Sequence, residues 1–587
     1  MTSLPVVDGS TRLAQPAWPS APALDDAASE RLRLYTDRGV PALIAEVLVR
    51  RGYDTPEYAA IALGGTLADH RVAPEALPDL RRAVALTVQA IAEGRPMVVR
   101  GDFDADGVCS TAVLVRGLVR AGAVVTWHVP HRQREGRDFT AAQARALAPR
   151  GGVLLCVDHG TNAPDALVAA QESGADVIVL DHHRPQALTP REVLCINPHR
   201  PDCSYAAPDI CATMIAWHFL RGVSEAMGQD ASVVDWAGEL AAIATLADSM
   251  PLVGENRALV RTVMPQLPST RLPGLRALLR VARLGDRPTL TARDVVFDLV
   301  PHLNAAGRVG DARDAVRLLI SEDPLEVLRC SALLGTLNDH RRATEERVLA
   351  GAWRKAQAVP LDQPGIVLRG NGWHPGVVSI VAARVAERCG RPTLVLVPEG
   401  AVWRGSCRAG RTGVDVFGAI QACARHLTAW GGHREAVGLT VPDAGLEAFE
   451  TAFLDSLAVQ AAAGGRSLRR RLPDVTGVLT QLPDELAGWL THMGPFGPGF
   501  EAPRVVMSGH CGVLDRVGLH RTHLDGVLSM ASGQQVAIWG PRLADEYPPE
   551  LLRGVPIDVM GSLDLHRGRV RLVVEALRPC STASPAA

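Results

Sequence analysis

The sequence predicts an α/β protein: a first unit built on a parallel sheet, a second α/β unit joined to it by a long helix, and a small C-terminal β-barrel. Three observations carry this. Short β-branched runs at 97–99, 153–157 and 177–180 alternate with helical apolar patterns, as buried parallel strands and their crossover helices do. The alternation resumes between 364 and 463, with strands expected at 365–369 and 393–397 and helices at 377–388 and 416–427. Five strand-like segments near 504–511, 523–530, 534–539, 555–564 and 568–577 end the chain, a count and spacing that suit a small barrel.

In chain order, residues 1–28 are rich in Pro, Ala and Ser, lack a basic segment followed by an apolar core, and read as a loose tail. Helical patterning follows over 29–71, and a helix over 77–93 leads into the strand at 97–99. That strand delivers Asp102, Asp104 and Asp106 at alternate positions, with Gly107 available for a tight turn before a helix over 108–120. Like charges this close are relieved by a divalent cation, by solvent or by raised pKa values, and an exposed acidic turn is the plain alternative. The second run ends in Asp158, followed by His159, Gly160 and Thr161. The third ends in Asp181, His182 and His183, with a helix-compatible stretch over 163–173 between them. A right-handed crossover places both strand ends on one sheet edge, where open α/β sheets bind ligands, so Asp104, Asp106, Asp158 and His182 converge. Asp248 closes an almost wholly apolar helix over 236–249, where a buried carboxylate needs a cation or hydrogen bonds.

These residues resemble the four motifs of the DHH phosphoesterase superfamily: Asp-Phe-Asp-Ala-Asp-Gly at 102–107, Asp158-His159-Gly160, Asp181-His182-His183 and Ala247-Asp248. Within it the chain is similar to the RecJ family of bacterial single-strand-specific 5′-to-3′ exonucleases. The stretches at 302–308, 337–342 and 372–378 and Gly431-Gly432-His433 extend the likeness, which covers roughly residues 75–578. The resemblance implies an N-terminal tail and helical segment over 1–74, a DHH catalytic domain over 75–308, a connecting helix over 309–358 and a DHH-associated domain over 359–463. A linker with a short helical piece over 464–503, an OB-type barrel over 504–578 and a tail over 579–587 complete the scheme. In the bland reading, the charges of the connecting helix (Arg341, Arg342, Glu345, Glu346 and Arg347) form a solvated face.

The resemblance also implies two manganese ions, with magnesium as the alternative. Asp158 bridges them, Asp104 joins it on one, and Asp106, His182 and Asp248 join it on the other. Such a pair acidifies a water and stabilises the leaving oxygen of a phosphodiester, so no protein nucleophile is needed, and a mixed carboxylate–imidazole set favours manganese. His183 donates to a phosphate oxygen or orients the ligands, while Asp102 and Asp181 orient neighbours. Arg308, Ser406 and Arg408 match a pocket for a 5′-phosphate, with an interdomain salt bridge as the competing reading of Arg308. The loop at 403–408 and the Gly431-Gly432-His433 turn present donors on glycine backbone, and His433 helps hold the substrate phosphate. The implied activity is 5′-to-3′ exonucleolysis of single-stranded DNA in repair and recombination, by a cytoplasmic monomer, with a single-strand-binding protein or a helicase as partners. Two other readings remain: a phosphodiesterase acting on short oligonucleotides, or a strand-binding scaffold.

Composition agrees. The chain has 587 residues, enough for several cores, with 47% hydrophobic residues and a net charge of −2, so any basic surface is local. Lys355 is the one lysine among 61 basic residues, so arginine abundance carries no message about phosphate. Eleven cysteines without a CxxC pair read as reduced cytosolic thiols and argue against zinc, and no apolar run reaches the ~20 residues of a membrane span. Gly464 to Arg471, with Arg466, Arg469 and Arg470, marks a boundary that is either a linker or a nucleic-acid contact. Three stretches depart from the family pattern: Cys407 and Ala409, Gly136-Arg137-Asp138, and 208–214. None is expected to touch a metal ligand; all are expected where nucleic acid runs, so they bear on substrate preference.

Overall fold

A computed structural model describes residues 21–136, 138–186, 188–410, 412–462, 472–518, 521–566 and 568–580. Arg137, the arginine-rich stretch 464–471 and the first 20 residues of the expected tail lie outside the described residues. The chain divides into two compact units, one of residues 70–469 and one built from both ends, up to 69 and from 470 onward.

In the 70–469 unit the first sheet is wholly parallel, in the order β2-β1-β3-β4-β5, with β1 Pro96–Arg100, β2 Val124–His128, β3 Val153–Val157, β4 Asp176–Leu180 and β5 Leu194–Ile196. Leu154, Leu155 and Cys156 of β3 are fully buried, which is why the run reads as continuously apolar rather than alternating. From β1 the chain goes to one side for β2 and to the other for β3, so a crevice opens at their carboxyl ends. The buried helix Ala105–Arg120 packs on Ala212–Ala226, where Gly117 leaves room for Leu220.

The charged stretch after 309 is two helices, Arg313–Ile320 and Pro324–Gln357. Asp323 caps the second by accepting from Leu325 N–H at 3.0 Å, and Pro324 occupies its first turn, where a missing N–H costs nothing. The longer helix has 34 residues. Its charge run is not all solvated: Arg341 and Glu345 are buried while Arg342, Glu346 and Arg347 are exposed. Arg341 donates to Glu345 at 2.6 Å and to Asn338 at 2.8 Å, Asn338 meets His302 at 3.2 Å, and Arg384 pairs with Glu345. This chain of polar contacts joins the first sheet's helices to those of the second sheet.

The second sheet has the order β6-β7-β8-β10-β9, with β6 Ile366–Arg369, β7 Thr393–Glu399, β8 Val402–Arg408, β9 Ala429–His433 and β10 Ala436–Pro442. Only β6 and β7 run parallel. The expected loop at 403–408 is strand β8, and the expected Gly-Gly-His turn is strand β9: Gly431, Gly432 and His433 pair with Gly438, Val437 and Ala436. Glycine in sequence signals a turn, whereas here it allows close strand pairing. The helix expected over 416–427 spans Val416–Gln421, followed by a 3-10 turn at Ala424–His426.

In the unit built from both ends, β11 Arg504–Val517, β12 His523–Met530, β13 Gln535–Gly540, β14 Pro556–His566 and β15 Arg569–Pro579 form a closed barrel in the order β11-β12-β13-β15-β14. The closing β13–β15 pair is parallel and all others are antiparallel, giving a Greek-key barrel of OB type. The helices Asp26–Thr36, Ala42–Arg50 and Pro56–Gly64 share its core: Tyr35, Ile44, Val47 and Leu48 lie in one cluster with Val505, Leu514 and Leu528. No helix among the described residues is long and apolar enough to cross a membrane.

Candidate metal centre

The site is built on three strand ends and one helix end. After β1, Asp104 caps the helix Ala105–Arg120 by accepting from Gly107 N–H at 3.1 Å, which places Asp106 in its first turn. Gly107 is helical, not a turn; it is needed because a Cβ there would lie 2.5 Å from the Asp102 carbonyl oxygen. Asp158, one residue past β3, adopts a left-handed backbone with φ of 62°. Such strained conformations recur at functional sites, and Asp is among the few residues that tolerate them. Asp181 and His182 follow β4, and Asp248 is the C-cap of the helix Ala237–Ala247.

Their donor atoms meet. His182 Nε2 lies 3.3 Å from Asp158 Oδ1, 3.4 Å from Asp248 Oδ2 and 3.8 Å from Asp106 Oδ2. The ligand atoms of Asp102, Asp104 and Asp158 form a second group, and those of Asp158, Asp181, His182 and His183 a third, each within 4.8 Å of one another. The charge balance marks the place for a cation. Burial pushes the Asp158 carboxyl well above its ordinary range, and Asp106, Asp104, Asp102 and Asp248 add to it. Asp248 is pushed up to about 6 by burial and then by Asp106, with His182 opposing. A cluster of carboxylates around one imidazole nitrogen is a donor set that divalent cations fit.

Several residues hold the cluster in place. Asp181 Oδ1 accepts from His183 Nδ1 at 2.7 Å and from the backbone N–H groups of His182 and His183, and its Oδ2 accepts from Thr161 N–H. Burial opposes the Asp181 charge, yet His183 and these donors hold its carboxyl well below the usual range. Asn197, fully buried, donates to Thr161 Oγ1 at 2.9 Å and to the His183 carbonyl at 2.8 Å, tying the second motif to the third. His159 turns inward instead: its Nε2 donates to the Arg100 carbonyl at 3.0 Å, and burial beside the Arg100 cation keeps it neutral. Asn304 accepts from Ala105 N–H at 3.0 Å, and a Cβ on Gly307 would meet the Phe103 carbonyl at 2.1 Å, so the 302–308 motif braces the acidic loop by direct contact.

One expectation is reversed. The departure at 208–214 touches a member of the cluster: Asp106 accepts from Ala212 N–H at 2.8 Å, Thr213 N–H at 2.9 Å and the Thr213 hydroxyl at 2.5 Å. The first turn of the helix Ala212–Ala226 thus satisfies Asp106 with donors that the helix leaves free. Cys407 and Ala409, expected where nucleic acid runs, are both buried, Cys407 within the second sheet's core, where burial pushes its thiol up to about 12.

Ser406 and Arg408 lie on the other face of β8, as the pleat requires, and Arg408 donates to Ser406 Oγ at 2.7 Å. Arg308 donates to the Gly376 carbonyl at 3.2 Å and Ser379 Oγ at 3.1 Å, so among the described residues it joins the two sheets' domains by hydrogen bonds rather than by the salt bridge weighed for it. Burial lowers it to about 10, the cations of Arg132, Arg341 and Arg408 add to this, and Asp104 opposes. The guanidiniums of Arg132 and Arg408 thus act on Arg308 and make with it a guanidinium wall that favours an anion, whereas Arg341 is already compensated by Glu345. Arg132, whose guanidinium lies 5.0 Å over the Phe103 ring, carried no motif by which to find it. His433 is exposed on β9, and its Nδ1 accepts only from the nearby Glu435 N–H at 3.3 Å among its hydrogen bonds in the described residues.

Comparison with known proteins places this geometry. The family model for the DHH family, N-terminal domain, matches residues 96–246, and that for the DHHA1 domain matches residues 362–459. The chain is 30% identical over 537 residues to the single-stranded-DNA-specific exonuclease RecJ of Bacillus subtilis, covering 90% of this chain and 66%, just under two thirds, of that protein. It is 31% identical over 443 residues to the protein of that name from Dickeya dadantii, covering 71% of this chain and 75% of that one. The solved structure of RecJ in complex with Mn2+ from Thermus thermophilus superposes with a TM-score of 0.75 at 28% identity, over 96% of this chain and 79% of that chain.

Proposed function

The chain belongs to the RecJ family, and from that premise we propose that it is a metal-dependent 5′-to-3′ exonuclease acting on single-stranded DNA. The observation that carries the proposal is the meeting of Asp106, Asp158 and Asp248 around His182 Nε2, beside a wall of guanidiniums. Asp104 and Asp158, with Asp102 alongside, would hold one divalent cation, and Asp106, His182 and Asp248, with Asp158 shared, would hold a second. Bound there, such ions acidify a water and polarise the phosphodiester. The imidazole favours manganese over magnesium, and the solved relative is found in complex with each of the two.

The protein's own groups do the rest. Asp181 holds His183 by Nδ1, which fixes the direction of a half-exposed ring that donates to a phosphate oxygen. Arg308, Ser406 and Arg408, with Arg132 added, receive the 5′-phosphate, so that a strand threads until its end docks and polarity follows from geometry. His433 contacts the substrate from the exposed edge of the second sheet. The barrel adds affinity along the strand: His523 and Trp539 stack at 5.1 Å and offer unpaired bases a face. We place the enzyme in the cytosol, where its eleven unpaired cysteines stay reduced. We further propose a monomer acting on strands supplied by a helicase or single-strand-binding protein.

The test compares manganese-dependent hydrolysis of a long single strand, a duplex, a dinucleotide and pyrophosphate. Release of mononucleotides from the single strand alone supports the proposal. Preference for the dinucleotide or pyrophosphate replaces it with a small-substrate phosphodiesterase, and binding without hydrolysis replaces it with a scaffold.

A further inference from the structure

A cavity of about 740 Å³ opens between the C-terminal end of the helix Pro324–Gln357, the carboxyl end of β6 and the start of β8. Arg354, Lys355, Arg369, Asn371, Trp373 and Trp403 line it, and none of them belongs to the metal centre or the guanidinium wall. Its volume falls within the range of roughly 300–1,000 Å³ usual for small-molecule sites.

The indoles are positioned by their surroundings. A Cβ on Gly370 would lie 1.9 Å from the Trp373 ring and one on Gly351 would lie 3.3 Å from its Nε1, so two glycines make room for it. Trp403 donates its Nε1–H to Asp443 at 2.7 Å, which fixes the ring by its edge. The cations are placed differently from one another. Arg369 is held by both oxygens of Glu450, at 2.6 and 2.7 Å, and is compensated. Lys355 donates one of its three hydrogens to the Arg369 carbonyl at 2.5 Å and lies 5.5 Å over the Trp373 ring, which leaves two donors. Arg354 is exposed, with no hydrogen bond or ion pair among the described residues. In a chain that uses arginine for every other basic residue, the one lysine stands here, where a compact ammonium reaches a carbonyl beneath an indole.

Two indoles with an unpaired guanidinium and an ammonium match a flat aromatic group bearing an anion. We propose that this cavity is a nucleotide-binding site, with the base stacked on an indole and the phosphate on Arg354 and Lys355. The nucleotide is either a free nucleoside monophosphate or one residue of a single strand.

Isothermal titration of the metal-free full-length protein decides this. The probes are deoxyadenosine 5′-monophosphate, deoxyadenosine, inorganic phosphate and a short oligodeoxyadenylate. The monophosphate binds at least about tenfold more tightly than either of its parts. Arg354→Ala with Lys355→Met reduces it to the level of the nucleoside. Trp403→Ala weakens nucleotide and nucleoside by roughly tenfold, and Trp403→Phe restores both. Binding of the monophosphate that these variants weaken assigns a free-nucleotide site, and binding of the oligonucleotide alone that they weaken assigns a strand subsite; both support the proposal. Binding of neither at millimolar concentration, or binding unchanged by these variants, overturns it. If Trp403→Ala fails to melt cooperatively, the exposed Arg354 and Lys355 pair decides. Because the titration is read without metal, it stands or falls separately from the hydrolytic reading.

Discussion

Asp181 Oδ1 accepts the Nδ1–H of His183 at 2.7 Å and, with the same oxygen, that residue's backbone N–H at 3.1 Å. One carboxylate thus sets both the position of the third motif and the direction of the ring that faces outward. Asp181→Asn removes the charge and most of the acceptance while keeping the shape. Turnover should fall by about ten- to a hundredfold with KM for the strand little changed. A variant with wild-type turnover would show that His183 orients itself.

Replacing Asp106, Asp158 or His182 by Ala should lower manganese-supported turnover at least about a thousandfold, since each removes a donor from the shared centre. Circular dichroism should stay near that of the parent. Near-normal rates in all three variants would remove the metal centre from this place.

In the metal-free protein the contribution of the carboxylate cluster to stability should fall as pH rises. Asp248 is raised from its ordinary 3.8 to about 6 by burial and then by Asp106. A raised folded pKa means that the native state binds this proton more tightly than the unfolded chain. Its contribution is therefore complete below about pH 4 and is lost as pH climbs through about 6. Manganese should reverse that loss, adding about 2.7 kcal/mol at a hundred times its Kd. Thermal melts of the parent and of Asp248→Asn from pH 4 to 8, with chelator and with manganese, measure both; a parent that loses no stability relative to the variant as pH rises without metal would refute the assignment.

Arg408→Ala should narrow the preference for 5′-phosphorylated over 5′-hydroxyl strands by about ten- to a hundredfold, the worth of one charge-assisted contact of roughly 1.5–3 kcal/mol. A 3′-labelled single strand with either end, digested by parent and variant, reads this directly. Equal parent rates on both ends, or digestion from the 3′ end, would leave a nuclease of other polarity.

A fragment of residues 70–469 contains both sheets and all the motif residues. It should cleave single strands at saturating concentration and bind long strands more weakly, because the lost barrel supplies stacking rather than chemistry. An unchanged dissociation constant for long strands would show that the barrel is not a strand-binding surface.

What the sequence made legible follows from local signals. Three apolar runs each ending in an acid exposed the crevice, because strand parity and a single crossover hand leave the chain little choice. Asp248 was legible because a carboxylate at the end of an apolar helix has few other reasons to be there. What stayed hidden depends on long-range packing. Thr213 supports Asp106 from more than a hundred residues away, and no spacing encodes that. Arg341 and Glu345 read as solvated charges because their i,i+4 spacing is the same in a buried pair as in an exposed one. The glycines of β8 and β9 read as loops, since a glycine spared for close strand pairing looks the same in sequence as one needed for a turn. Pro324, with Asp323 before it, does signal the break within the supposed single helix.

The barrel's core is completed by both ends of the chain: Arg51 pairs with Asp474 across 423 residues, and Tyr35 and Ile44 share an interior with Val505 and Leu528. That arrangement imposes an order on biosynthesis. The helices at 26–64 leave the ribosome ahead of the strands that bury them, which emerge about 440 residues later, roughly 20–90 s at ordinary elongation rates. The body that carries the chemistry is finished in the interval. During that time the early helices have apolar faces and no interior to put them in, the condition in which a nascent chain is open to aggregation and a chaperone shields it.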